Sequence, residues 1–121
     1  MKRDMDIVRN LLVRSEAASG SVSVNDPIET YHVRIMMDAG LIEGRISEEI
    51  TADAPHHSFI HNLTWAGHDF IDSARNDTVW RTAKEKILKP GVSWTFDLLK
   101  EALKALAKEQ LVRAGLPDFH A

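Results

Sequence analysis

The chain has 121 residues, of which 44% are hydrophobic and 27% are charged, and its formal net charge is -3. This length suits one compact domain, and the balance is that of an ordinary globular protein. The absence of cysteine excludes disulfides, thiol catalysis and cysteine-ligated metal sites. The N-terminus carries no apolar run, and no segment approaches the length of a membrane span. We therefore expect a cytoplasmic protein that does not contact the membrane.

Residues 4–18 are predicted to form the first helix, because Ile7, Leu11 and Leu12 recur with helical spacing. The connector that follows, residues 19–25, alternates serine with valine and predicts a short strand that pairs with a later hairpin. A helix-turn-helix protein carries a further helix at this point. The connector therefore departs from that pattern.

The stretch from Asp26 to Ile42 predicts a helix whose start and end are both indicated by residues typical of helix termini. Asp26 suits the N-cap, Pro27 suits the first helical position and Gly40 suits a left-handed end. A helix that ends in this way before a hairpin has the order of the third helix and wing in a winged-helix domain. The residues that recur at helical spacing are Ile28, Tyr31, Ile35 and Ala39, with Met36 and Met37 beside them.

Residues 41–46 and 58–63 are predicted to form the two strands of this wing, joined by a loop of about eleven residues. Thr64 is predicted to cap the next helix, and residues 78–88 form a further short helix. We assign the large aromatic residues of this region to the core, namely Trp65, Phe70 and Trp80.

Residues 93–114 are predicted to form the last helix, with an apolar stripe at Phe96, Leu99, Leu103 and Leu106. Lysines at positions 100, 104 and 108 line the side of this helix opposite the apolar stripe and are predicted to form a solvated face. The predicted fold class is mainly α with a small antiparallel β hairpin (α+β), a winged-helix-like core plus C-terminal helices. We predict a winged-helix-like domain over residues 1–91. Residues 92–121 would form an amphipathic helix that packs on this domain or on a second subunit.

Three segments carry a resemblance to a known family: the start MKRDMD, the helix end DAGLI, and LTWAGHDF with DTVW after it. Together they resemble the bacterial and phage family catalogued as domain of unknown function 2513. The likeness covers roughly residues 1–110 and implies a bacterial or prophage origin. It implies no activity and no catalytic residues.

The sequence offers no motif for catalysis. It contains no nucleophile elbow, phosphate loop or Gly-rich fingerprint. His56 and His57 point to opposite faces of an extended chain, and His61 does not converge with them on a metal. His68 and Asp69 are neighbours on a helix and do not face each other. We expect no enzyme activity, no cofactor and no metal site.

The charges are unevenly distributed along the chain. Residues 26–57 carry seven acidic residues against two basic ones, Arg34 and Arg45, which is the wrong sign for a wing and helix that hold duplex DNA. Residues 81–113 carry eight basic residues against four acidic ones. Such a polarised surface steers charged partners.

Two functional hypotheses follow. The first is a non-catalytic protein-interaction module, a phage or prophage accessory protein that acts on a host machine through an acidic wing; its partner is another protein or a second copy of the chain. The alternative is a winged-helix transcription regulator that binds DNA as a dimer through a basic face outside the wing. The predicted contact residues are Arg34, Arg45, Glu48, Glu49, His57, Lys100, Lys104 and Lys108.

Overall fold

The computed structural model describes residues 2–47, 57–113 and 115. Within them the chain is mainly helical and carries a small antiparallel sheet, which confirms the α+β class. The elements in chain order are α1 (Met5–Ala17), β1 (Val22–Val24), α2 (Pro27–Asp38), β2 (Ile42–Ile46), β3 (Ser58–Leu63), α3 (Trp65–Ala74), α4 (Asp77–Lys86) and α5 (Phe96–Arg113). The predicted loop contacts Glu48 and Glu49 lie outside the described residues.

The chain divides into two compact units, Met1–Ile71 and Asp72–Ala121. The first unit holds α1, α2, the sheet and most of α3. The second holds α4 and α5, which pack on each other. The predicted division into residues 1–91 and 92–121 stays a prediction.

The sheet has three strands in the order β1-β3-β2, and both pairings are antiparallel. The predicted hairpin is formed by β2 and β3, and the predicted strand in the connector is β1, where Ser23 lies opposite Phe59. A register shift interrupts the pairing of β2 with β3 between Glu43 and Gly44. Strand alternation gives the sheet one face with Ser58 and Ile60, which are fully buried, and another with Phe59.

Helices α1 and α2 pack on the buried face of the sheet. Apolar burial supplies most of the driving force for this packing. One polar contact also lies there: the Thr30 and Ser58 hydroxyls are 3.3 Å apart. The first unit's fully or almost fully buried apolar residues are Met5, Val8, Leu11, Leu12, Val24, Val33, Met36, Leu41, Ile42, Ile60, Leu63, Phe70 and Ile71.

Both ends of α2 follow the prediction. The Asp26 carboxylate accepts the backbone N–H of Glu29 at 2.9 Å, and Pro27 occupies the first turn. Gly40 has φ +74°. In this left-handed conformation the Cβ of any other residue would lie too close to the backbone. The sequence thus fixes where α2 starts and stops through local chemistry alone.

The buried face of α2 differs from the stripe that the apolar spacing indicated. Its buried residues are Thr30, His32, Val33 and Met36. Ile28 is 48% exposed, and the rest of the predicted stripe lies partly or fully in solvent. Both sides of this helix carry apolar residues, and the sheet and α1 cover only one of them.

Trp65 is not in the core, contrary to our assignment: it is 84% exposed, whereas Phe70 and Trp80 are buried as predicted. The reason is helical geometry. Phe70 follows Trp65 by five residues, which places the two side chains about 140° apart around α3. The inward face is set by Gly67, whose Cα packs so closely on the carbonyl oxygen of Leu41 that no Cβ fits.

In the second unit, Asn76 caps α4 by accepting the backbone N–H groups of Thr78 and Val79 at 2.9 and 3.0 Å. Helix α5 begins at Phe96, three residues later than predicted, because the Thr95 hydroxyl accepts the backbone N–H of Leu98 at 3.1 Å and caps the helix there. The buried residues of the two helices are Val79, Trp80, Ala83, Leu99 and Leu103.

Candidate functional site

The outward face of α2 is an apolar surface on the first unit. Ile28, Tyr31 and Ile35 recur there at helical spacing and are exposed or half-buried. Arg34 is exposed on the same helix. We call this surface, made of Ile28, Tyr31, Arg34 and Ile35, the α2 outward face. Contiguous exposed apolar surface on a small domain marks an interaction site more often than scattered single residues do.

A buried histidine fixes the orientation of this helix. His32 has no exposed surface; its Nδ1–H donates to the Ile28 carbonyl at 2.7 Å. Its Nε2 accepts the backbone N–H of Asp4 at 2.9 Å. Because a carbonyl only accepts and a backbone N–H only donates, the ring carries its proton on Nδ1. His32 therefore ties the start of α1 to the first turn of α2, and it holds the helix in the rotation that turns Ile28 outward.

Trp65 lies at the other end of α2. The Thr64 hydroxyl donates to the Gly40 carbonyl at 2.5 Å, and the Thr64 backbone N–H donates to the Leu41 carbonyl at 3.0 Å. These bonds hold the start of α3 against the turn that ends α2. An 84% exposed tryptophan next to that turn is unusual, since this side chain is normally well buried.

The predicted contacts Arg34 and Arg45 belong to different surfaces. Helix α2 packs on the buried face of the sheet, and Arg34 lies on its solvent side. Arg45 lies on the opposite face of the sheet, where its guanidinium carbon is 5.4 Å from the centre of the Phe59 ring. The two arginines therefore do not form one phosphate-binding surface.

The open face of the sheet carries a row of three aromatic rings, one just before β3 and two on it. The His57 and Phe59 ring centres are 4.5 Å apart with planes tilted by 44°. The Phe59 and His61 centres are 6.5 Å apart with planes 2° from parallel. We call His57, Phe59 and His61, together with Arg45, the ring row.

Serines on β1 and just before it hold the imidazoles of the ring row. The Ser23 hydroxyl is 2.9 Å from His57 Nε2, and the Ser21 hydroxyl is 3.0 Å from His61 Nδ1. Two serine–histidine pairs raise the question of nucleophilic catalysis. In the part of the chain that the structure describes, neither ring contacts a carboxylate that would orient it, and both pairs are exposed. The two serines therefore hold the His57 and His61 rings in place on the surface of the sheet.

The histidines of the ring row are not placed to bind a metal ion together. The described residues contain no group of three or more histidines and carboxylates placed to hold a metal ion. His57 and His61 lie on the same face of β3, but the Phe59 ring stands between them. His56 lies outside the described residues.

The three lysines of the predicted row on α5 differ in their surroundings. Lys100 lies 3.5 Å from the Asp97 carboxylate and 5.4 Å from the centre of the Phe96 ring. Lys104 and Lys108 are exposed. Exposed pairs of this kind contribute little to stability. That the three lysines contact a partner stays a prediction.

A small cleft lies between α4 and α5. Its volume is about 110 Å³, well below the few hundred Å³ of an ordinary small-molecule site. The Arg113 guanidinium pairs with the Glu109 carboxylate at 2.6 Å on its rim. The cleft is lined by Thr78, Thr82, Lys86, Leu106, Glu109 and Arg113, among others.

The fold and these surfaces define an α+β domain with a three-stranded sheet. The model of the family described as "Hypothetical protein (DUF2513)" matches residues 2–93, and the chain belongs to this family. It is similar to an uncharacterized protein of Haemophilus influenzae, with 29% identity over 121 residues that cover 92% of this chain and 99% of the relative. No solved structure matches the chain. Among the described residues, no helix is both long and apolar enough to cross a bilayer.

Of the predicted contact residues, the structure brings together Arg45 and His57, on either side of Phe59. Sequence reasoning missed Phe59, His61 and the two serines as one group. The signal was present in the alternation of SVSV and HSFIH, because residues two apart on a strand share a face.

Proposed function

We propose that this protein is a non-catalytic protein-interaction module whose α2 outward face, extended by Trp65, binds a protein partner. One observation carries the proposal: a helix that is anchored on its inner side by Val33 and Met36 carries Ile28, which is exposed, and Tyr31 and Ile35, which are partly exposed, on its outer side. Burying such side chains against a partner removes apolar surface from water at roughly 25 cal/mol per Å².

Trp65 and Tyr31 are the residue types that supply most of the binding energy at protein interfaces. Arg34 and Asp38 are exposed on the same helix and suit the polar rim that surrounds such anchors. The sequence predicts the contact in the acidic loop between β2 and β3, with Glu48 and Glu49, which lie outside the described residues. The proposal therefore rests on the α2 outward face.

The alternative is a winged-helix regulator that binds duplex DNA as a dimer. Its support is the order of the elements, with α2 directly before the β2–β3 hairpin, and the basic surplus of residues 81–113. Against it, a major-groove helix needs polar and basic side chains on its outward face, and α2 offers Arg34 among apolar residues. We favour the protein-interaction module. Its assignment as a phage or prophage accessory protein that acts on a host machine depends on what the partner is.

The test uses tagged full-length protein in cells of its native host, followed by mass spectrometry of what co-purifies. The binding partner is then purified and titrated with wild-type protein and with Tyr31→Ser and Trp65→Ser. We expect each substitution to weaken binding at least tenfold, as loss of an interface anchor does. Trp65→Ser should leave the melting temperature unchanged, because Trp65 is 84% exposed. A second copy of the chain as the partner would appear as self-association in sedimentation.

Val13→Ser is the matched control, because Val13 is 41% exposed on α1 and lies outside the proposed surface. Equal affinities for Tyr31→Ser, Trp65→Ser and Val13→Ser would refute the proposal. Binding of random duplex DNA with a steep loss of affinity as salt rises would favour the DNA regulator instead.

A further inference from the structure

We propose that the open face of the sheet binds single-stranded nucleic acid, with bases stacked on the ring row and a phosphate held by Arg45. This site is independent of the α2 outward face, because α2 packs on the other side of the sheet. The proposal rests on the placement and the chemistry of His57, Phe59, His61 and Arg45.

The rings lie in a row that the strand itself sets. Alternate residues of a strand share a face and recur about every 6.8 Å, so His57, Phe59 and His61 stand one after another along β3. None of these side chains is fully buried. The core is formed by the other face of the strand, through Ser58 and Ile60. The row therefore lies outside the core and keeps part of its surface in solvent.

Two of the rings share one orientation. Phe59 and His61 have nearly parallel planes, 2° apart, and their centres are 6.5 Å apart. Neighbouring bases of a single strand can therefore stack on the two rings with their own planes parallel.

The imidazoles are also held in place before any ligand binds. Ser23 bonds to His57 and Ser21 bonds to His61 across the β1–β3 pairing. A side chain that is already ordered loses less conformational entropy when it binds. Arg45 approaches the Phe59 ring from β2, which orients its guanidinium, a group whose planar fork fits a phosphate.

A single strand fits this surface better than a duplex. Its bases are not fixed by a partner strand and can be splayed onto aromatic side chains. A duplex would need several phosphate contacts, and the charged residues within the three strands are Arg45 and Glu43. We therefore expect weak binding, dominated by stacking, with little dependence on salt.

The experiment titrates the full chain into fluorescein-labelled oligodeoxythymidine of about 15 nucleotides at low salt, with fluorescence anisotropy as the readout. A duplex of the same length is the comparison. We expect saturable binding of the single strand below about 1 mM. The slope of log affinity against log salt should be near the ~−0.7 of one phosphate contact.

Substitutions at Phe59 separate stacking from simple apolar cover. Phe59→Leu keeps the surface covered but removes the aromatic face, and we expect it to weaken binding about tenfold. Phe59→Tyr keeps the ring and should retain the affinity. Arg45→Gln should weaken binding and abolish the salt dependence, whereas Arg34→Gln on α2 should change neither. An oligouridine arm shows whether the strand is RNA or DNA.

Three results would overturn this inference: no saturable binding of the single strand at low salt, equal affinity for the duplex, or equal affinity of Phe59→Leu and wild-type protein for the single strand. Circular dichroism of each variant shows that it is folded. Because Tyr31 and Trp65 lie outside the ring row, their substitution should leave oligonucleotide binding unchanged. The two proposals can therefore fail separately.

Discussion

The two sides of α2 have similar composition and opposite surroundings. The inner side, with Val33 and Met36, is almost completely buried, while on the outer side Ile28 is exposed and Tyr31 and Ile35 are partly exposed. Apolar side chains in water are costly, and a helix with apolar residues on both sides normally lies between two neighbours. The structure supplies one of these neighbours within the first unit. We therefore propose the outer side of α2 as the surface that a partner protein covers.

The same contrast divides α3. Phe70 is 1% exposed and Trp65 is 84% exposed, although both are large aromatic residues on one short helix. We expect Phe70→Ala to lower the free energy of unfolding by about 3–5 kcal/mol, because it leaves a cavity in the core. Trp65→Ala should change it by no more than about 0.5 kcal/mol, as an exposed substitution does. Urea denaturation of both variants checks this, and similar losses for the two would contradict the placement of Trp65.

The two sides of α2 can be compared in the same way. Met36→Ala should cost about 2–5 kcal/mol of stability, since Met36 is 1% exposed. Ile28→Ala should cost about 0.5 kcal/mol or less, because Ile28 is largely in solvent and alanine favours the helix. Thermal melts followed by circular dichroism give both values. A large loss for Ile28→Ala would mean that the outer side is covered in the isolated chain.

His32 holds the rotation of α2 that separates the two sides. Replacing it with alanine leaves the Asp4 backbone N–H and the Ile28 carbonyl without their partner, and we expect a loss of about 1–3 kcal/mol. Tyr31→Ala on the neighbouring outward position should cost less. Hydrogen exchange should show faster opening at the start of α1 in His32→Ala. Unchanged exchange there would show that the link does not hold α1.

The smallest effect concerns the turn at Gly40, which joins α2 to β2 and accepts a hydrogen bond from Thr64, the residue before Trp65. Gly40 has φ +74° and open space around its Cα, so Gly40→Ala carries a conformational cost of about 1–2 kcal/mol without a clash. Gly20→Ala is the matched control, since that position also has open space and no positive φ. The control should be neutral or slightly stabilising. Equal melting temperatures for the two variants would contradict the claim that the turn requires glycine at position 40.

The ends of α2, the strand in the connector and the Thr64 cap could be predicted because each depends on a few adjacent residues. The buried side of α2 could not be predicted from periodicity, since Ile28, Ile35, Val33 and Met36 offer two apolar stripes. Which stripe is covered depends on the sheet, α1 and the His32 link, and the last of these joins residues 28 positions apart.

The candidate site was predicted in part for the same reason. Arg34, Arg45 and His57 were named as contact residues, but their grouping depends on tertiary structure. Ser21 meets His61 across 40 residues of chain, through a register that composition does not reveal. Trp65 was misplaced because a tryptophan in an apolar string usually belongs to the core, whereas Gly67 and Phe70 set the inward side of α3.

The most direct test of the account is photo-crosslinking in the native host. A photoreactive phenylalanine analogue is placed at position 35, on the α2 outward face, and in a second variant at position 13, an exposed apolar site on α1. The account predicts a discrete crosslinked adduct from position 35 and none from position 13, with the position-35 adduct lost on Trp65→Ser. Equal crosslinking at both positions, or none at position 35, would contradict it.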